Sequence, residues 1–155
     1  MAATASKLRE DFESYPPRAL RIVAANGEEV PFELKAPQLR MARGLMAQRA
    51  AGLPMRAIIV KARKVGFSTQ AQGLVIQRAT LTPHHYALVV AQGTKAVGEI
   101  FGIGRFMWSK LPLEIRPEIS AQRNGRGEKM MEFGQPAGHL RLAGDFGLDS
   151  TVEVS

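Results

Sequence analysis

Ala57-Ile-Ile-Val-Lys-Ala-Arg-Lys-Val-Gly-Phe-Ser-Thr69 is the stretch on which the reading of this chain turns. Four consecutive apolar residues, Ala57 to Val60, leave no face for water and predict a buried strand. A basic segment with one glycine follows, from Lys61 to Gly66. Ser68 and Thr69 then open a helix expected over Gln70 to Ala79, and either hydroxyl can cap the open amides of its first turn. Strand, tight loop and helix N-terminus together form the geometry of a phosphate-binding loop, where backbone N–H groups and the helix dipole favour an anion.

The loop departs from the usual pattern G-x-x-x-x-G-K-[ST]. Gly66 stands at the second glycine and Ser68 at the metal-binding hydroxyl, but Phe67 replaces the lysine and Lys61 the first glycine. A phosphate site here therefore needs another cation, and Lys61, Arg63 and Lys64 all lie within the loop. An ordinary basic strand-to-helix turn would account for the same residues.

The 155 residues suffice for one domain with a real core. Lys and Arg number 21 against 14 Asp and Glu, a net charge of +7 that suits a polyanionic partner such as nucleic acid, or a basic protein with dispersed charge. There is no cysteine, which excludes disulfides and thiolate metal sites and suits a reducing compartment. His84, His85 and His139 make a weak metal set, because adjacent residues on a strand point apart. Lys7, Arg9, Glu10 and Asp11 interrupt any signal-peptide core, and no apolar run is long enough to span a bilayer, so a cytosolic protein is expected.

Taken in order, Leu8 and Phe12 suggest a short amphipathic helix over residues 4–14, ended by Tyr15-Pro16-Pro17. Residues 1–18 thus form an N-terminal arm, and 19–155 one α/β domain. Two apolar–polar runs around Asn26-Gly27 predict a hairpin, with Pro31 confining its second strand to an edge. Pro37 opens a helix with Leu39, Ala42, Leu45 and Met46 on its inner stripe, ended by Gly52-Leu-Pro54. His85 to Ala91 reads as a second buried strand. Thr94 can cap a helix running towards Leu111 with Ala96, Val97, Ile100, Phe101, Ile103 and Phe106 on its apolar positions, and Pro112 stops it. Leu113 to Gly127 reads as loop, with an exposed basic turn at Arg123 to Arg126. Met130 to Phe133, His139 to Leu142 and Thr151 to Val154 are short strand candidates. Strand, helix, strand, helix after residue 55 implies a right-handed βαβ unit in a parallel sheet, with Lys61 to Ser68 beyond the carboxyl end of the first strand.

These features, in this order, resemble the N-terminal ATPase region of the large terminase subunit of tailed phages and prophages. The likeness rests on the hairpin ending Val30-Pro-Phe-Glu-Leu34, the helix opening Pro37-Gln38, the loop Lys61 to Thr69, and the strand Tyr86 to Ala91 followed by a helix from Thr94. It covers most of residues 20–110. Some terminases carry the loop lysine at the front of the loop, where Lys61 stands. The resemblance implies a P-loop NTPase-like parallel sheet flanked by helices and preceded by a β-hairpin, with ATP and Mg²⁺ as cofactors. It implies that Lys61 contacts phosphate, that Arg63 is a second cation stabilising transition-state charge, and that Lys64 and Thr69 lie near the phosphates. Gly66 would let the backbone approach them, Ser68 would bind Mg²⁺, and Gln38 would read the adenine edge. Double-stranded DNA, a terminase small subunit and a portal protein would be partners of the full-length family member in the bacterial cytoplasm, with no membrane involved.

Phosphoryl transfer to water also needs acids that hold Mg²⁺ and orient the water. No apolar strand ending in an acidic pair occurs here; Asp145, Asp149 and Glu153 lack that context. The chain therefore reads as an incomplete ATPase domain without Walker B acids or nuclease domain, inactive alone. The alternative is a small basic non-catalytic nucleic-acid-binding protein, with Arg40, Arg43, Arg123 and Arg126 as phosphate contacts. No aromatic platform or recognition helix supports it.

Overall fold

The computed structural model describes residues 11–62, 64–82, 84–124, 128–133 and 139–144. The chain is mixed α/β. A short helix α1 (Tyr15–Ala19) leads into a two-stranded antiparallel sheet of β1 (Arg21–Val23) and β2 (Glu29–Pro31). Next come α2 (Ala36–Ala50) and α3 (Phe67–Leu81), then β3 (Tyr86–Ala91) and α4 (Thr94–Ser109). Three strands, β4 (Ile119–Asn124), β5 (Glu128–Phe133) and β6 (His139–Gly144), complete a second sheet in the order β3-β6-β5-β4.

The entry to the fold reverses the expected use of its prolines. Residues 4–10 lie outside the described residues, and Pro16-Pro17 open α1 instead of ending a helix. Proline is tolerated in the first turn, where its missing N–H has no intrahelical acceptor to lose. Asp11 prepares that start, accepting the N–H groups of Glu13 at 2.8 Å and Ser14 at 3.1 Å and the Ser14 hydroxyl at 2.6 Å. Burial works against the Asp11 charge, but these hydrogen bonds, together with Arg18, outweigh it and hold its carboxyl below the usual range.

The hairpin forms as expected. Arg21 pairs with Pro31 and Val23 with Glu29, and Gly27 takes φ +86° in the turn. α2 also matches its stripe, burying Ala42 and Leu45, and Gly52 at φ +70° ends it.

The four-stranded sheet differs from the expected parallel one. Only β3 and β6 run parallel, with Tyr86 beside His139 and Ala91 beside Gly144; the β6–β5 and β5–β4 pairs are antiparallel. Ile119 to Asn124, expected as loop, forms β4 by pairing with β5. The candidate at Thr151 to Val154 and the turn at 125–127 lie outside the described residues.

Two expectations for buried strands fail. Ala57 to Val60 is in neither sheet, and Ile58 and Val60 are 96% and 97% exposed. An apolar run records β-propensity, but a strand exists only where another strand supplies hydrogen bonds. The βαβ unit starting at residue 57 is accordingly not formed. In β3, Ala87 is buried while Tyr86, Leu88 and Val90 are exposed, so only one face is covered.

On the covered side, Ile76 and Ala79 of α3 join Val97, Phe101 and Met107 of α4 in a core shared with Ala87, Met131 and Phe133 of the sheet and with Tyr15, Leu20 and Phe32. Gly73 makes this fit. A Cβ there would stand 3.0 Å from Leu20 Cδ1 and 3.4 Å from Phe32 Cε1.

Candidate phosphate-binding site

α3 begins at Phe67, earlier than the sequence suggests, with Gly66 as its N-cap at φ +83°. Ser68 and Thr69 are therefore the second and third residues of the helix and do not cap it; no side-chain cap bond forms. The first intrahelical bond runs from Gln70 N–H to the Gly66 carbonyl at 3.0 Å. The amides of Phe67, Ser68 and Thr69 come before it, and an α-helix offers them no acceptor within itself. Ser68 is exposed and Thr69 half-buried, so both hydroxyls sit at the same open helix end.

The turn before the helix is strained in a way that shapes it. Lys64 takes φ +61°, a left-handed conformation that costs a non-glycine residue about 1–2 kcal/mol. Lys61 and Lys64 are both exposed, and Lys61 Nζ donates to the Ala62 carbonyl at 3.4 Å. Arg63 lies outside the described residues. Lys61 also borders an open cleft of about 450 Å³ between the start of α2 and the segment 57–62, with Pro37, Arg40, Met41, Val65 and Phe67 as its other walls. Among the described residues no acidic one lines it.

Gln38 occupies an unexpected position. It is 2% exposed, and both ends of its amide are engaged inside the protein. Its Oε1 accepts the Lys35 N–H at 2.9 Å, closing the N-terminus of α2, and its Nε2 donates to the Gly66 carbonyl at 2.9 Å. Gln70 Nε2 in turn donates to the Gln38 carbonyl at 2.7 Å. Two hydrogen bonds thus tie the first turn of α2 to the loop and to α3, and the third closes that turn on itself. The Gln38 amide that would read an adenine is here a strut holding Gly66.

Sequence reasoning missed Gln70, which is wholly buried, and Met41 on the wall of the cleft, where it stands with Arg40, a residue expected as a nucleic-acid contact. The spacing carries a signal in retrospect. Gln70, Gly73, Ile76, Gln77 and Thr80 follow i, i+3, i+6, i+7, i+10 along the inner stripe of α3, and Gln72 is buried beside them, so three glutamines lie on its buried side.

Among the described residues no group of three His, Asp or Glu side chains could hold a metal ion, and no helix is long and apolar enough to cross a membrane. Asp145, Asp149 and Glu153 lie outside the described residues. Arg43, one of the candidate nucleic-acid contacts, makes two hydrogen bonds to Glu13, at 2.9 and 2.5 Å. Comparison with known protein families finds no model that matches the chain, and comparison with curated proteins finds no significant match.

Proposed function

We propose that this chain binds the triphosphate of ATP at the start of α3, as the nucleotide-binding part of a DNA-packaging motor of the terminase large-subunit type. The observation that carries the reading is the open helix start itself. The amides of Phe67, Ser68 and Thr69 follow a glycine held at φ +83° and a left-handed Lys64, and Lys61 lines the same cleft as Phe67. Such a helix end, with its dipole and unbonded donors, favours a phosphate group. Lys61 and Lys64 supply cationic charge in place of the lysine absent at Phe67, and Arg63 is available in the same loop. The exposed Ser68 hydroxyl is suited to a magnesium ion held by phosphate oxygens, and Thr69 to a further phosphate contact.

Gln38 acts in this reading through Gly66 and not through the base. Bound Mg²⁺ would supply charge neutralisation at the phosphates. No residue of the chain is assigned the carboxylate that orients water, so binding without turnover is expected. Double-stranded DNA, a small subunit and a portal protein remain the partners that a motor of this type would engage.

Calorimetric titration with MgATP tests the proposal. The wild-type protein should bind, and Lys61→Ala should weaken binding by about tenfold, the effect of losing one charge-assisted contact to phosphate. If neither protein binds nucleotide while both bind duplex DNA with strong salt dependence, the chain is a basic nucleic-acid-binding module instead.

A further inference from the structure

Ala57 to Val60 is a run of apolar, mostly β-branched residues that belongs to no sheet. Among the described residues no backbone hydrogen bond reaches it. Ile58 and Val60 are 96% and 97% exposed and Ile59 is 40% exposed. The residue just before it shows what such backbone accepts. The Gln48 side-chain amide donates to the Arg56 carbonyl at 3.1 Å and accepts the Arg56 N–H at 2.8 Å, pairing with it as a neighbouring peptide group would. Beyond Arg56 that pairing stops, and the open peptide groups are a template for a strand.

The charges around the template select the strand. Arg56 and Lys61 bracket the apolar residues, Arg40 stands on the wall of the adjoining cleft, and among the described residues that cleft has no acidic one. A second copy of this chain fits poorly. The antiparallel register that pairs all four apolar residues sets Arg56 opposite Lys61, and the in-register parallel one sets each base beside itself. Like charges directly opposite one another destabilise a strand pair. A polyanion such as DNA would meet the flanking bases, but it would leave the exposed Ile58 and Val60 without apolar partners.

We infer that Ala57 to Val60 is a β-augmentation site for an extended segment of a partner protein, apolar at its centre and bearing a carboxylate at each end. Main-chain hydrogen bonds to residues 57–60 supply affinity, and the carboxylates beside Arg56 and Lys61 supply selectivity. The inference does not depend on nucleotide binding at α3.

Two fluorescent six-residue peptides test it, each with four alternating valines and isoleucines, one ended by aspartates and the other by lysines. Fluorescence anisotropy with the full chain should show binding of the aspartate-ended peptide only, weakened by salt. Ile59→Pro removes one amide donor from a segment with no backbone bonds to lose, and should abolish binding while the circular dichroism is unchanged. Arg56→Glu should weaken the aspartate-ended peptide by about fivefold and improve the lysine-ended one. Equal affinity for both peptides, or no affinity for either, overturns the inference. So does a wild-type dimer in sedimentation that Ile59→Pro dissociates, which would assign the site to a second copy, or displacement of the bound peptide by duplex DNA.

Discussion

Gly66 holds φ at +83°, and a Cβ built on it would stand 3.0 Å from Gln38 Nε2. Gly27 holds φ at +86° with nothing within 4 Å of the same position. The two alanine substitutions therefore separate conformational cost from contact cost. Gly27→Ala should cost about 1–2 kcal/mol for the left-handed backbone alone. Gly66→Ala should cost about 1–2 kcal/mol more, because Gln38 must yield and its buried hydrogen bonds weaken. Urea unfolding followed by Trp108 fluorescence measures both; equal losses would mean that the Gln38 strut contributes nothing. The buried glutamines of α3 offer a second contrast. Gln72 is 1% exposed, packs against Gly104, and has no hydrogen-bond partner at either end of its amide among the described residues. Gln72→Met removes two unsatisfied polar atoms at similar volume and should stabilise by about 1 kcal/mol. Gln70→Met breaks a 2.7 Å buried bond to the Gln38 carbonyl and should destabilise by about 1–3 kcal/mol in the same unfolding assay.

Among the elements, those made by local rules are legible in the sequence and those made by distant pairing are not. The hairpin follows from Asn26-Gly27, and α2 and α4 follow from their apolar periodicity and their Gly52 and Pro112 stops. Ala57 to Val60 and Ile119 to Asn124 exchange roles because strand formation depends on a partner whose position no local window contains. The candidate site is legible in part. Gly66 and Ser68 announce a turn and a helix, but the engagement of Gln38 by Gly66 spans 28 positions and leaves no mark on spacing. The approach to β3 carries a pH dependence. Burial, with the charge of Arg78 adding to it, pushes the His85 imidazole below its ordinary value of 6.5. A histidine depressed in the folded state favours unfolding when protonated, so its contribution is complete above pH 6.5 and is lost as pH falls through the lower folded value. Thermal melts of the wild type should fall across that window, and those of His85→Gln should fall less. Parallel curves would remove His85 from the account.

For the molecule as a whole, the unequal treatment of the two faces of β3 sets its solution behaviour. α3 and α4 cover Ala87, whereas Tyr86, Leu88 and Val90 stay 64%, 59% and 49% exposed on the other side. That exposed face attracts other molecules through apolar contact, and the net charge of +7 holds them apart. Salt shifts the balance, because at physiological ionic strength charge repulsion is screened within about 8 Å while apolar attraction is not. Light scattering of the wild-type protein should therefore rise with sodium chloride concentration. The double substitution Leu88→Ser and Val90→Ser leaves the charge at +7 and removes only apolar surface. It should flatten the salt response while costing about 1 kcal/mol or less in urea, since both side chains already meet water. Scattering that rises equally in the two proteins would locate the attraction elsewhere, with the exposed residues 57–60 the next segment to substitute.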